Sequence, residues 1–340
     1  MTNSRSWVDE LSRGWNHSFS PSGNALVYQP MIRALENEFR VLSRSSSEPI
    51  VYEDEHLVRP LAWASDSEIL FLRYSLDPHD QKPTLCSLSI FDMQVNEQIE
   101  IEDAFAVSWL GRDGHISILG ELQDRYGLFD LNTRRMDISR MQEFDSSFEK
   151  LEVYPLFGHS WSVENREVAL IAWPKDHLEL GEVATAQNSQ WSPILDTPSI
   201  QDYVIRNKDG STMTQRDLSQ VAKTKKPYRL FILDISGECI EVPATSKAHD
   251  PHWSPDGSIL VFQRYEEGRE GIWYVRRSDL LPRRIGKCSF ATRLIVHPDG
   301  VLYCQLETQD VPAIGRYDGQ QTRKFPWRRF RLSNGDVSEI

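Results

Sequence analysis

Apolar residues in this chain come in short alternating runs, and each run follows a polar turn. The clearest case is Asp250-Pro-His-Trp-Ser-Pro-Asp-Gly-Ser-Ile-Leu-Val-Phe-Gln-Arg264. An extended segment meets a Ser-Pro-Asp-Gly turn, in which Pro presets the first central position and Gly tolerates positive φ. The run that follows has the composition of a buried strand. Gly271-Ile-Trp-Tyr-Val-Arg276 then reads as a third strand and Leu281-Pro-Arg-Arg-Ile285 as a fourth. The unit predicted is a four-stranded antiparallel meander.

The cadence recurs at Ser18-Phe-Ser-Pro-Ser-Gly23, Leu61-Ala-Trp-Ala-Ser-Asp66, Val107-Ser-Trp-Leu-Gly-Arg-Asp-Gly114, His159-Ser-Trp-Ser162 and Ile295-Val-His-Pro-Asp-Gly300. With Phe19, Trp63, Trp109, Trp161, Trp253 and Val296 as one structural position, the spacings are 44, 46, 52, 92 and 43 residues. Apart from the long one, these fit a propeller blade of about 40–50 residues. The prediction is an all-β fold, a single six-bladed β-propeller domain. An insertion at 174–227 falls between the second and third strands of blade four, where Thr214 to Lys225 fits a helix. Trp191-Ser-Pro193 echoes the anchor, which keeps seven blades as the alternative.

Composition narrows the picture. The 340 residues carry 38 Lys+Arg against 50 Asp+Glu, a net charge of -12, so a nucleic-acid surface would have to be a local exception. Lys324-Phe-Pro-Trp-Arg-Arg-Phe-Arg331 is one such stretch, basic with interleaved aromatics, and it also fits an outer strand with arginines lying over it. No apolar run reaches the ~20 residues that span a bilayer, and Met1 to Trp7 is polar. Cys86, Cys239, Cys288 and Cys304 are widely spaced, as buried thiols in a reducing compartment are. A cytoplasmic location is expected.

The phrase Pro251-His-Trp-Ser-Pro-Asp-Gly257 and the strands after it resemble the TolB-type, WD-like β-propeller repeat. Tyr203-Val-Ile-Arg-Asn-Lys-Asp-Gly210, followed by Tyr228-Arg-Leu-Phe-Ile-Leu-Asp-Ile-Ser-Gly-Glu238, is similar in order to the propeller domain of prolyl-oligopeptidase-family acylaminoacyl peptidases. The resemblance implies a propeller. In those peptidases the nucleophile lies in an α/β-hydrolase domain, which the sequence to Ile340 lacks, so peptidase activity is not expected. Gly158-His-Ser-Trp-Ser162 ends in Ser where a nucleophile elbow has Gly, and it sits on a propeller strand.

The first strand of each blade lines the channel, and the residues leading into it gather at one mouth. Aligned to His249 and Asp250 are Trp15 and Asn16, Arg59 and Pro60, Phe105 and Ala106, Phe157 and Gly158, and Thr292 and Arg293. His159 lies one position on. The candidate ligand-binding set is Asn16, Arg59, His159, His249, Asp250 and Arg293. Its guanidinium groups suit a carboxylate or phosphate; the bland alternative is a solvated mouth in which Arg293 pairs with Asp250. A one-residue slip would turn each side chain to the other face.

His249 and His252 point to opposite faces of a regular strand, so a metal there would need ligands from other blades, such as His159 or His17. Propeller lyases that resemble this repeat do use histidine-bound metal. The expectation is nevertheless no metal, no cofactor and no catalytic residue. The function expected is a binding scaffold for a protein partner or a small anionic ligand at the mouth. The alternative is a propeller enzyme (lyase, hydrolase or cyclase) acting there on a small anionic substrate, and a lesser one is a subunit that gates a separately encoded hydrolase.

Overall fold

The computed structural model describes residues 7, 11, 14–30, 37–46, 48–74, 83–100, 103–109, 115–122, 125–133, 135, 137–153, 159–174, 204–206, 212–214, 228–266, 268–288, 294–306 and 327–340. For 14–16, 96–100, 103–109, 120–122, 125–126, 152, 204–206 and 212–214 it describes the backbone alone. Six four-stranded antiparallel blades form a β-propeller. Their innermost strands are Gly14–Phe19, Leu57–Ser65, Asp103–Trp109, the pieces Leu151–Val153 and His159–Ser162, Ala248–Trp253, and Leu294–Val296. Each contains or borders its repeat anchor, as the spacing predicted.

Local turn chemistry explains why the repeat was visible. In blade 5 the Ser254 carbonyl accepts from Gly257 N–H at 2.9 Å, and the Ser254 N–H donates to Ile259 O at 2.8 Å. The Ser254 hydroxyl takes the Ile259 N–H, and Gly257 has a φ of 63°. Blade 1 repeats these bonds from Ser20 to Gly23 and Ala25, and blade 6 repeats the backbone pair from His297 to Gly300 and Val301. One local solution starts three second strands.

The core is divided among the gaps between blades. Trp63, 2% exposed, packs with Val27, Phe39 and Phe71 between blades 1 and 2. Trp253 packs with Ala169, Leu230 and Phe262 between blades 4 and 5. Hydrogen bonds cross these gaps as well, from Trp63 Nε1 to Ser18 O and from Trp253 N–H to Ser160 Oγ, each 2.9 Å. Every blade is built from one continuous stretch of chain, so among the described residues no strand is exchanged to close the ring. Closure rests on packing of Trp7, Leu11, Phe19 and Tyr28 against Ile295, Val301 and Tyr303, and on His297, whose Nε2 lies 3.0 Å from Gly23 O.

In blade 4 the second strand is Glu167–Pro174 and the third is Arg229–Asp234. Pro174 pairs with Leu151 and Ala172 with Arg229, so both strands meet the intervening segment at the mouth end of the blade. Within it, Val204–Arg206 and Thr212–Thr214 pair as a hairpin, which puts Thr214 on a strand. Trp191-Ser-Pro193 and residues 215–225 of the predicted helix lie outside the described residues. Cys86, Cys288 and Cys304 are buried and Cys239 half-buried, all free thiols.

Candidate functional site at the channel mouth

The register places His249 opposite Gln263, Arg59 opposite Leu72 and Trp15 opposite Gln29. Each second-strand partner stands three residues past the residue that pairs with its anchor (Leu260, Ile69 and Leu26), so these positions correspond from blade to blade. Beyond them the first strands of blades 1, 2 and 5 carry a register shift, between Trp15 and Ser18, Pro60 and Ala62, and His249 and His252. A bulge leaves residues unpaired and re-aims their side chains. It is the device that shapes the mouth.

In blade 5 the bulge exposes Asp250. Its φ is 53°, a left-handed conformation that Asp tolerates better than most residues. Asp250 Oδ1 lies 2.9 Å from His252 Nε2, and Oδ2 accepts from Gln263 Nε2 at 3.0 Å. Gln263, itself 2% exposed, accepts from the Tyr265 hydroxyl at 2.9 Å. Tyr265 stacks on His249 with ring centroids 3.9 Å apart and planes tilted by 32°. The Asp250 side chain remains 40% exposed.

Electrostatics fixes the protonation of this network. Burial pushes the His249 imidazole down to about 4, against the opposing pull of Asp250. Desolvation disfavours the Asp250 carboxylate, but His252, His249 and the Gln263 amide outweigh it and hold the carboxyl below its usual range. Burial raises the Tyr265 hydroxyl well above its ordinary value. At neutral pH the group presents one carboxylate beside a neutral His249 ring.

The other candidates lie elsewhere around the ring. His159 is buried in the gap between blades 3 and 4, where its Nε2 lies 2.9 Å from Ser117 Oγ. Its Nδ1 has no hydrogen-bond partner, and burial pushes the ring down to about 3. Arg59 is half-buried and shares a face with its partner Leu72, which packs toward blade 3. Asn16 lies in the bulge of blade 1, where only its backbone is described, and Arg293 lies outside the described residues. The structure therefore joins His249 and Asp250 in one network and sets His159 in the gap between blades 3 and 4, while Arg59 stands at the aligned position of blade 2.

Gln263 and Tyr265 did not stand out as site residues in the sequence, and His252 did so only as a candidate metal ligand. A signal was present. The second strands of blades 1, 5 and 6 carry Gln29, Gln263 and Gln305 at the same offset, where blades 2 and 3 carry Leu72 and Leu119. Gln29 uses the position to donate to Val58 O of the next blade at 2.9 Å. Among the described residues no group of three or more His, Cys, Asp or Glu could hold a metal ion. No described helix is long and apolar enough to cross a membrane.

No protein-family model and no curated protein matches the chain. Solved structures do resemble it. The crystal structure of TolB from Acinetobacter baumannii is 13% identical with a TM-score of 0.50, covering 78% of this chain and 52% of that one. Oligogalacturonate lyase in complex with manganese is 9% identical with a TM-score of 0.50, covering 86% and 73%. The β-propeller domain of the trilobed protease from Pyrococcus furiosus is 12% identical with a TM-score of 0.48, covering 96% and 83%. This chain spans about half the length of the TolB chain it matches. At such identities the likeness is one of fold, the TolB-type propeller.

Proposed function

We propose that this chain is a non-catalytic binding propeller whose channel mouth receives an acidic segment of a protein partner, with the blade 5 network at its centre. One observation carries the reading: Asp250 is held in a left-handed conformation by His252 and Gln263, yet its side chain stays 40% exposed. Strained backbone held by surrounding structure is characteristic of binding sites. Efficient general acids and bases have pKa values near the working pH. His249 at about 4, His159 at about 3 and a carboxyl held low each keep one state at neutral pH, which suits recognition better than proton transfer.

The ligand class follows from the mixed charges. Arg59 and Arg293, aligned with His249 and Asp250 on other blades, supply guanidinium groups for carboxylates. Asp250 takes a donor such as a backbone N–H, which an acidic peptide carries and a small anion often lacks. The chain's net charge of -12 opposes the approach of such a partner, so affinity comes from local geometry and not from steering. The test is calorimetric titration with an acetylated Glu-Gly-Glu-Gly-Glu amide. The double variant Arg59→Ala with Arg293→Ala should lose binding while circular dichroism shows an intact fold. Equal binding by both proteins would remove the mouth from the account.

A further inference from the structure

The outer strand of blade 1, Ile50–Glu53, differs from the described outer strands of blades 3 to 6. Ile50 is 40% exposed and Val51 43%, and Phe91, in the outer turn of blade 2, is 85% exposed. Among the described residues the outermost strands of blades 3 to 6 turn polar or charged side chains to solvent, such as Asp137, Glu241, Arg284 and Glu339. Charged edges discourage strand addition, and an apolar edge invites it.

The backbone of this edge is available. Asp54, just past this strand, donates its N–H at 3.0 Å to the carbonyl of Asn37, just before the third strand Glu38–Ser43. Hydrogen-bonding direction alternates along an antiparallel strand, so Val51 and Glu53 turn their N–H and C=O groups outward. Ile50–Glu53 ends its sheet, with no further strand beside it among the described residues.

Beside the start of this edge, on the face opposite the mouth, a cleft of about 260 Å³ opens between blades 1 and 2. Ala25, Val41, Ile50 and Ile90 supply apolar wall, and Ser22 and Asp66 stand among the polar lining. An apolar cavity of about 150 Å³ accommodates a benzene ring, so there is room for one aromatic or large aliphatic side chain. Of the charges that flank the edge and the cleft, Glu48, Glu53, Asp66 and Asp92 are exposed acids, and Arg40, opposite Val51, is paired with Glu38. Arg44, in the adjoining turn, stacks over the Trp7 ring 5.7 Å away.

From the free edge, the apolar cleft and the acidic surround together, we infer a second docking site. It takes an extended segment of a partner protein that adds as a strand to Ile50–Glu53, places an apolar side chain in the cleft and carries Lys or Arg at its flanks. Main-chain bonds to an edge supply affinity and side-chain pockets supply selectivity in this mode of recognition. The site is independent of the channel mouth and has the opposite charge preference.

The probe is a fluorescein-labelled Lys-Lys-Val-Thr-Phe-Thr-Val-Lys-Lys amide, followed by anisotropy with the full chain. Val51→Pro removes an outward N–H at a position where an edge strand tolerates proline, and Ile50→Asn makes the cleft wall polar. Each should weaken binding at least tenfold, as should a Glu-flanked version of the peptide, whereas Asp250→Asn should leave it unchanged. Should Val51→Pro fail to fold by circular dichroism, Ile50→Asn alone decides. The inference is overturned by absence of binding to the unaltered chain, by equal binding to the edge variants, or by equal binding of the Glu-flanked peptide. It is also overturned by self-association in sedimentation that Val51→Pro abolishes, which would make the occupant a second copy. Loss of binding in Asp250→Asn would move the peptide to the mouth, overturning this site and leaving the mouth reading to its own titration.

Discussion

The inner strands of blades 4 and 5 put histidines near the same mouth to opposite uses. In blade 4, His159 turns back into the gap against Ser117 and is sealed, 6% exposed. In blade 5 a bulge intervenes, and His249, Asp250 and His252 join Gln263 and Tyr265 in a network that reaches solvent. The gap between these two blades is itself tightly tied. Arg277 of blade 5 holds Glu167 of blade 4 through both carboxylate oxygens, at 2.6 to 3.0 Å, and Asn165 donates to Gly257 O at 2.8 Å. Polar residue type near a channel is therefore a poor guide to function, and the local register decides whether an imidazole serves packing or presents a surface.

The heaviest way to break the comparison is through the shared joint. Trp253→Ala should destabilise by roughly 3–5 kcal/mol through cavity formation between the two blades. A midpoint of thermal unfolding that barely moves would contradict the packing of Trp253 among Leu230, Leu260 and Phe262.

Acid should come next. The folded-state pKa values of His159 and His249 are depressed, to about 3 and about 4. Their contribution is fully present above the ordinary histidine pKa, and it declines as pH falls from there toward those folded values, because the unfolded chain takes up the protons. At pH 5 each costs about 2 kcal/mol relative to pH 7. Urea unfolding at the two pH values measures it. His159→Gln should lower stability at pH 7 but flatten the pH slope, and an unchanged slope would remove His159 as its source.

Asp250→Asn sharpens the contrast from the other side. Asn tolerates the left-handed conformation and keeps an acceptor for Gln263, so stability should change by less than about 1 kcal/mol. Binding of the acidic peptide should weaken about tenfold, the scale of a lost charged hydrogen bond. The smallest effect is kinetic: added salt screens the net negative charge and should raise the association rate a few-fold.

The blade boundaries were legible because Ser-Pro-Asp-Gly turns and tryptophan anchors act within a few residues of themselves. Gly271–Arg276 occupies the stretch read as the third strand of blade 5. The alignment of Trp15, Arg59 and His249 likewise matches the register. Direction was not legible. A bulge is a property of two paired strands, and nothing in Ala248-His-Asp-Pro-His-Trp253 marks which residue lacks a partner. The joining of Asp250 to Gln263 depends on a pairing fixed across a turn, and that of His159 to Ser117 on the packing of another blade.

The contrast between the two inner strands can be read on the imidazoles themselves. Nitrogen-15 labelled chain, observed at its histidine side chains by nuclear magnetic resonance, would be titrated with the acetylated Glu-Gly-Glu-Gly-Glu amide, with resonances assigned by His159→Gln, His249→Gln and His252→Gln. The account predicts that the His249 and His252 signals move in a saturable way and that His159 stays in place. Saturable binding that leaves the blade 5 histidines unmoved, or that shifts His159 as strongly, would contradict it.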